Sequence, residues 1–396
     1  MEGIYFDHAA TTPVDARVLE KMLPYFTENF GNANSQHGYG RRAVTAVDAA
    51  RDTIARQIHA KPSEIYFTSG GTESDNWAIR GAAHALRGKG RHLIVSAIEH
   101  PAMLVTAKEL AKEGFDVTFA PVDEYGTVDL EKLKASVRED TIFIGVMTAN
   151  NEVGTIQPIA ELSAFARSRG IVFFTDAVQA AGSLAINVND PAVDMLAISS
   201  HKFYGPKGVG VLYIRSGLKM GKLITGGHQE RSMRGGTTNV AGVVGMAEAL
   251  KLAQQDMRER AEYVSGLRDR FIRRVLHEIP YVRLNGHPSN RLPGNANFSF
   301  RYIEGESLLF SLDLAGIAVS SGSACSSGSL EPSHVLLAMG LKEGEAHGSI
   351  RFSFGKDNTV EQVDFAVDRL KEIVVKLRAL SPLFPKDCKN EVMEKE

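Results

Sequence analysis

Three short segments, each placed directly after an apolar run, carry residue types that can anchor a phosphorylated cofactor. Residues 68–74 read Thr-Ser-Gly-Gly-Thr-Glu-Ser and lead into a helical pattern, where glycines and free N–H groups suit a phosphate. Asp176 ends a second apolar run, and Lys202 follows a third just before a Gly/Pro turn. A carboxylate can keep a ring nitrogen protonated, and a lysine amine can bond an aldehyde carbon. The ordered set therefore predicts a site for pyridoxal 5'-phosphate.

Each segment alone has a plainer interpretation. Residues 68–74 lack the Gly-Lys-Ser/Thr of a P-loop and the three-glycine dinucleotide fingerprint, so they could form an ordinary turn. Asp176 could cap the following helix, and Lys207, within the turn itself, is a competing lysine. Their occurrence in one order favours the cofactor site over three unrelated features.

Cys325 lies in a stretch, residues 319–332, that is rich in Ser and Gly and has no hydrophobic period. This composition predicts a flexible loop, at about residues 320–333, rather than a core element. A cysteine there is poorly placed for packing and well placed for attack as a thiolate. An incidental loop cysteine is the alternative. The other cysteine, Cys388, lies in a charged tail and is predicted to be exposed and inert.

The overall composition excludes several classes of protein. Lys and Arg number 45 against 47 Asp and Glu, which gives no electrostatic reason to expect nucleic acid or an anionic membrane as partner. The chain has no leader-like or membrane-spanning apolar run, so we expect a cytoplasmic location. Two cysteines are too few for a disulfide scaffold or for a thiolate metal site of their own. We therefore expect no intrinsic metal site.

Short β-branched runs alternate with helical patterns over the first part of the chain. Strands are predicted at residues 64–67, 92–95, 117–120, 142–147, 171–174, 195–198 and 210–214, and helices at 72–87, 102–112 and 159–169. Alternation of this kind predicts an α/β fold on a large, mainly parallel sheet.

The pattern changes near residue 240 and predicts a smaller α+β domain. One long helical stretch is predicted at 241–278, followed by strands at 281–284, 297–300 and 349–354 and a helix at 360–380. We expect a large cofactor-binding domain at 14–255. Residues 1–13 and 256–396 are expected to form the small domain, which includes the cysteine loop.

With these motifs the sequence resembles the class V aminotransferase group of fold-type I pyridoxal-phosphate enzymes, and within it the cysteine desulfurases of the NifS/IscS type. The resemblance covers nearly the whole chain. The motifs that carry it are Tyr-Phe-Asp-His-Ala-Ala-Thr-Thr at 5–12, Ser-Gly-Gly-Thr-Glu-Ser at 69–74, Asn-Asn-Glu-Val-Gly at 150–154, Ser-His-Lys at 200–202 and Ser-Gly-Ser-Ala-Cys at 321–325. Gly71 departs from the Ala that the family often has, and Val153 from the common Ile.

The resemblance implies roles for individual residues. Lys202 is implied as the lysine that forms the Schiff base, Asp176 as the partner of the pyridine nitrogen and His100 as the residue that stacks on the ring. Further cofactor contacts are implied for Gly71, Thr72, Asn151, Gln179, Ser199 and His201, and for Thr237 donated by the second subunit of a homodimer. Arg351, aided by Asn151, is implied to bind the substrate carboxylate. Taken singly, His100 could end a strand, Arg351 could be an edge-strand surface charge and Thr237 could be loop filler.

The implied activity is cysteine desulfuration, in which L-cysteine becomes L-alanine and its sulfur stays on Cys325 as a persulfide. The sulfur would pass to an iron–sulfur scaffold protein or another acceptor, with Cys325 as a transient iron–sulfur ligand. A selenocysteine lyase, an aminotransferase or a β-lyase of the same fold is the nearest alternative. A cofactor-bearing scaffold that docks partners without catalysis is a second alternative, which the joint presence of Lys202, Asp176 and Arg351 disfavours.

Overall fold

The computed structural model describes residues 3–321 and 331–385. Within these residues the strands are β1 (Ile4–Tyr5), β2 (Ile65–Thr68), β3 (His92–Ser96), β4 (Asp116–Ala120), β5 (Thr141–Gly145), β6 (Val172–Asp176), β7 (Met195–Ser199), β8 (Gly210–Ile214), β9 (Val282–Asn285), β10 (Asn295–Phe300), β11 (Ile317–Ala318), β12 (Ser320–Ser321) and β13 (Ser349–Ser353).

The helices of the same residues are α1 (Ala16–Met22), α2 (Pro24–Thr27), α3 (Gly38–Gln57), α4 (Gly71–Leu86), α5 (Pro101–Lys112), α6 (Leu130–Ala135), α7 (Ile159–Ser168), α8 (Val240–Gln255), α9 (Met257–Glu278), α10 (Gly305–Leu314), α11 (His334–Ala338), α12 (Glu343–Ala346) and α13 (Val360–Leu380). None of these helices is long and apolar enough to cross a membrane.

Seven strands form the large sheet, in the order β2-β8-β7-β6-β5-β3-β4. The strands from β4 through β7 run parallel to one another, whereas β8 is antiparallel to both β7 and β2. This confirms the predicted α/β fold on a mainly parallel sheet. Because parallel strands end at one edge, the residues that follow β5, β6 and β7 meet there.

Both faces of this sheet are covered, which explains why its strands read as continuous apolar runs. Successive residues point to opposite faces, and the two faces belong to separate cores. One core holds Ile94, Ile144, Phe173 and Leu196 together with residues of α3 and α8, and the other holds Leu93, Phe143, Phe174 and Ala197 together with residues of α4 and α5.

The small sheet has the order β12-β13-β10-β9 and is antiparallel throughout. An apolar core that includes several phenylalanines covers one of its faces, with Phe271 of α9 packed against Phe298 and Phe352. The N-terminal strand β1 pairs with β11 and brings Phe6 into this same core. Residues from the two ends of the chain therefore meet beside the large sheet.

The helical stretch predicted at 241–278 is two helices. It breaks at Asp256, between α8 and α9. The two helices have different partners, since α8 packs on α1 and α3 and α9 packs on α13 and β9. The apolar periodicity of a helical stretch does not show which elements each part of it packs against. The break between α8 and α9 was therefore not predicted.

Candidate active site

Lys202 ends a short 3₁₀ turn that follows β7 directly. Its side-chain amine donates hydrogen bonds to the carbonyl oxygens of Ala9, at 2.6 Å, and Ala10, at 2.8 Å. The N-terminal segment thus lies at this edge of the sheet, and its backbone carbonyl groups bind the amine. Lys207, the competing lysine, is exposed.

Asp176 is the last residue of β6, the strand beside β7, and its carboxylate is buried. One oxygen accepts a hydrogen bond from the backbone of Val178 at 2.8 Å. A turn follows Asp176 and the next element is β7, so the interpretation as a helix cap is wrong. Burial raises the pKa of Asp176 because the charged form is removed from water, and the nearby Lys202 opposes this rise. A cation beside the carboxylate would stabilise its ionised form.

The turn at 69–71 lies between β2 and the N-terminus of α4, where the helix leaves backbone N–H groups without partners of its own. Gly70 has φ +152°, and a carbon added to it would lie 3.7 Å from the hydroxyl oxygen of Ser199. A Cβ at Gly71 would lie only 2.8 Å from Cγ2 of Val178. Glycine in place of the family's alanine therefore makes room for this valine.

His100 caps the N-terminus of α5, with Nδ1 accepting a hydrogen bond from the backbone of Ala102 at 3.1 Å. His100 therefore precedes a helix and does not end a strand, since β3 ends at Ser96. Burial, then Lys202 and His334, lower the pKa of His100 to about 4. The ring is neutral near pH 7, and since Nδ1 accepts, its proton is on Nε2.

Gln179 and His201 lie beside the amine. Gln179 Nε2 donates to the carbonyl of Ala9 at 3.0 Å, the same oxygen that Lys202 contacts. His201 Nδ1 lies 3.1 Å from the hydroxyl of Thr11, and burial together with Lys202 lowers the pKa of His201 to about 4. Both side chains are consequently neutral hydrogen-bonding groups around the Lys202 amine.

Arg351 approaches from the small sheet. It lies on β13 between β12 and β10 and is 2% exposed, so the edge-strand interpretation is wrong. Its Nη1 donates to the carbonyl of Asn151 at 3.0 Å and its Nη2 to Asp7 Oδ1 at 2.9 Å. Its Nε is buried without a hydrogen-bond partner in the described part of the chain. A buried donor of this kind suits a carboxylate ligand.

Glu99 and Asp75 are two buried acids near Asp176 that sequence reasoning missed. Glu99 Oε1 accepts from the hydroxyl of Ser96 at 2.5 Å and the backbone of Met147 at 2.7 Å. One oxygen of each acid has no partner among the described residues. Burial raises the pKa of Glu99 to about 8, and burial and then Asp176 and Glu99 raise that of Asp75. Glu99 is thus protonated at neutral pH.

Glu99 should make the apoprotein less stable as the pH rises. Between about pH 4.5 and about pH 8 the folded state holds a proton that the unfolded state has lost, so each rise in pH favours unfolding. Glu99→Gln cannot ionise at this position. From pH 5 to pH 8 we therefore expect the free energy of unfolding to fall further in wild type than in Glu99→Gln, by about 1 kcal/mol or more. Urea unfolding at the two pH values measures this. Glu109→Gln, at a carboxylate whose side chain is 45% exposed, is the control, and parallel curves for wild type and Glu99→Gln would refute the assignment.

Cys325 and Cys388 lie outside the described residues, but both ends of the stretch that contains Cys325 are described. Ser320 pairs with Arg351 across the small sheet. At the other end, Ser333 donates to Glu152 Oε2 at 2.5 Å, and His334 Nε2 lies 3.0 Å from the carbonyl of Glu99. One end therefore contacts Arg351 itself, and the other contacts Glu152 and Glu99, which are the sequence neighbours of Asn151 and His100.

Two predicted cofactor contacts are exposed in the single chain. Thr72 lies in the first turn of α4, and Thr237 follows Gly236 shortly before α8. Exposure suits a residue that meets its ligand only when a second chain is present, as predicted for Thr237.

The residues at this edge fit pyridoxal phosphate. A helix N-terminus with two glycines suits a phosphate, and the buried Asp176 carboxylate suits a protonated ring nitrogen. The amine of Lys202 lies on the neighbouring strand end, with carbonyl groups holding it in place. The three anchors predicted from sequence are thus brought to one edge of the sheet.

Comparison with known proteins gives similarity over nearly the whole chain. A family model described as Aminotransferase class-V matches residues 4–365. A protein named Cysteine desulfurase IscS, from Dictyoglomus turgidum, is 54% identical over 379 residues, which are 96% of each chain. A solved "NifS-like protein" has a TM-score of 0.89 at 40% identity, over 95% of this chain and 100% of that chain. The solved "SspA in complex with cysteine" has a TM-score of 0.79 at 36% identity, over 90% and 100%.

Proposed function

The chain belongs to the class-V aminotransferase family and is a pyridoxal-phosphate-dependent cysteine desulfurase, and we propose which part of the reaction each of its site residues carries out. One observation carries the assignment of roles. The amine of Lys202, the carboxylate of Asp176 and the helix N-terminus at Gly71 occupy one edge of the sheet, and Arg351 faces Asn151 from the small sheet.

The cofactor, when bound, supplies an electron sink that makes the α-proton of an amino acid acidic. Asp176 would hold the ring nitrogen protonated, Lys202 would bond the aldehyde group, and the neutral His100 would stack on the ring. The remaining cofactor contacts are Gly71, Thr72, Asn151, Gln179, Ser199 and His201, with Thr237 of a second copy.

The substrate is held and deprotonated by this chain's own groups. Arg351 binds the carboxylate of L-cysteine, and Lys202 takes the α-proton. The thiolate of Cys325 attacks the substrate sulfur, so that a sulfur–sulfur bond forms as the carbon–sulfur bond breaks. The electron pair of the broken bond stays with the carbon fragment, which takes up protons and leaves as alanine. His100, with its proton on Nε2, is placed to move protons at this stage.

Chain length supports the role of Cys325. It is four residues beyond Ser321, so the two Cα atoms lie within about 14 Å of each other. Ser321 pairs with Ile350, the neighbour of Arg351 on β13. The thiol is thereby tied to the strand that would hold the substrate carboxylate.

Mass spectrometry of the protein after treatment with L-cysteine tests this function. We expect the mass of an added sulfur on the peptide that contains Cys325, together with a change in the visible absorbance of the bound cofactor. A protein that turns over L-cysteine without ever carrying sulfur on this peptide would exclude the persulfide.

Arg351 should determine the affinity for substrate rather than for cofactor. Its guanidinium is held by Asp7 and the carbonyl of Asn151, and a lysine has no matching planar fork. We expect Arg351→Lys to raise the KM for L-cysteine about tenfold or more with little change in cofactor affinity. Steady-state kinetics and cofactor titration measure the two quantities. Arg291→Lys, another buried arginine of the small domain, is the control, and an unchanged KM for Arg351→Lys would remove Arg351 from the substrate site.

The chain is proposed to act as a homodimer. The segment that runs from the end of α1 to the start of α3 exposes the apolar side chains Leu23, Phe26, Phe30 and Tyr39, with exposed fractions from 48% to 63%. Exposed apolar side chains of this size, of which Phe30 and Tyr39 contact each other, suit a second copy of the chain, which would also bring the exposed Thr237 to its partner's cofactor. Sedimentation of wild type and of Phe26→Asp tests this, since a monomer in both would exclude it.

The sulfur acceptor, proposed to be an iron–sulfur scaffold protein, is proposed to dock on α10. Phe310 and Leu314, one turn apart on this helix, are 65% and 89% exposed. The helix leads through β11 and β12 directly into the stretch that contains Cys325. A partner bound there would be next to the persulfide. Phe310→Glu should therefore slow sulfur transfer to a purified scaffold protein and leave sulfide release with a small thiol unchanged; equal transfer by both proteins would exclude this face.

The domain organisation is proposed to be a large domain at 14–255 and a small domain formed by 1–13 and 256–396. Supporting this, α8 contributes to the core of the large sheet and α9 to the core of the small sheet. Limited proteolysis that released fragments unrelated to residue 255 would argue against it. A cytoplasmic location remains a prediction, which fractionation of cells would test.

A further inference from the structure

β2 forms one edge of the large sheet, and side chains rather than a further strand satisfy its outer side. The carbonyl of Ile65 accepts from Arg51 Nη1 and from Arg231 Nη2, each at 2.7 Å. The backbone N–H of Phe67 donates to Glu230 Oε2 at 2.9 Å. The edge strand that leads into the turn at 69–71 is thus closed by the segment at 230–234.

The segment at 230–234 has an unfavourable backbone that its side chains hold in place. Glu230, Arg231 and Ser232 have φ values of +44°, +56° and +66°, a left-handed run that non-glycine residues rarely adopt. Glu230 is buried and receives both arms of Arg51, each at 2.8 Å. Three successive residues in this conformation persist only where the surroundings enforce it.

The same segment reaches the turn through Arg234. Its Nε lies 2.9 Å from Glu73 Oε1 and its Nη2 lies 3.0 Å from Glu73 Oε2, a two-armed pair. Glu73 Oε2 also accepts from the backbone N–H of Ser69 at 2.8 Å. Glu73 therefore closes the turn from Ser69 to the first residues of α4, and Arg234 fixes the orientation of Glu73.

Charge explains why both members of this pair are needed. Although burial alone would raise the pKa of Glu73, hydrogen bonds from Arg234 and Ser69 hold it below its ordinary value, so the carboxylate is ionised. An anion three residues into α4 would repel a phosphate at the helix N-terminus. Arg234 neutralises it, and with side-chain exposures of 20% for Arg234 and 10% for Glu73 the pair is little screened by water.

We propose that Glu73 and Arg234 are positioning residues that hold the turn at 69–71 in the form that accepts the phosphate of the cofactor. This inference rests on the proposed function of that turn. It assigns the pair to recognition of the phosphate and not to the ring or to L-cysteine.

The test is rebinding of pyridoxal 5'-phosphate, and separately of pyridoxal, to the full-length protein stripped of cofactor. We expect Glu73→Gln to weaken binding of the phosphate form about tenfold and Arg234→Met to weaken it about a hundredfold, because the latter leaves an unpaired carboxylate. The affinity for pyridoxal should change less than about twofold in both. The double variant should bind the phosphate form better than Arg234→Met alone.

Controls separate positioning from general damage. Arg270→Met breaks a two-armed pair with Asp364 on the small domain, at 2.7 and 2.8 Å, and should leave both affinities unchanged. Arg234→Lys keeps the charge but not the fork, and we expect an intermediate loss even if Arg234→Met fails to fold. An equal loss for pyridoxal, or a double variant no better than Arg234→Met, would overturn the inference. A wild type that does not prefer the phosphate form would instead refute the proposed role of the turn.

Discussion

Cys325→Ala is expected to bind pyridoxal phosphate as wild type does and to release almost no sulfide from L-cysteine. The variant removes the nucleophile that is proposed to accept the substrate sulfur. The residues that the structure describes contain no cysteine that could replace it. We expect sulfide release, measured with a reductant present, to fall by about a hundredfold or more. The absorbance of the bound cofactor should be unchanged.

The other cysteine of the chain provides a matched control. Cys388→Ala also removes one of the two thiols, but from the charged tail, and it should retain full activity. Sulfide release by Cys325→Ala at the wild-type rate would exclude the persulfide step and favour a β-lyase or a selenocysteine lyase of the same fold. Loss of activity in Cys388→Ala alone would transfer the role to the tail.

The strands and helices of the large sheet were predictable because each is defined by its own residues. The predicted strand at 210–214 coincides with β8, and the others agree with the structure to within about two residues at each end. Apolar runs bounded by turns appear directly in the sequence when both faces of a sheet are buried. The helix at 360–380 was equally clear, since the buried face of α13 is apolar except for Arg378.

The contacts that shape the candidate site could not be predicted, since they join residues far apart in the chain. Arg351 and Asp7 are separated by 344 positions, and Arg234 and Glu73 by 161. Asp7 and Glu73 lie within quoted motifs and Arg351 has an implied role, but no local pattern pairs these residues with one another or points to Arg234. The buried acids Asp75 and Glu99 escaped for a different reason, because acidic residues near helix starts usually cap the helix or contact solvent.

Lys202→Ala is expected to abolish turnover of L-cysteine, by about a thousandfold or more, and to prevent formation of the bond between protein and cofactor. Alanine removes the only amine that the described residues bring to the carbonyl groups of Ala9 and Ala10. Steady-state sulfide release and the visible absorbance of the cofactor measure the two losses. Lys207→Ala, five positions along and exposed, should behave as wild type, and a reversed outcome would make Lys207 the reactive lysine.

A second measurement on the same variant tests the electrostatics of the site. Burial is the larger cause of the low pKa of His100, and the positive charge of Lys202 is the next. Lys202→Ala removes the charge and keeps the burial, so the pKa of His100 should rise above about 4 but stay below the ordinary value of 6.5. NMR titration of the apoprotein would follow it. A His100 pKa that did not move would mean that the amine is too distant from the ring to share a proton path with it.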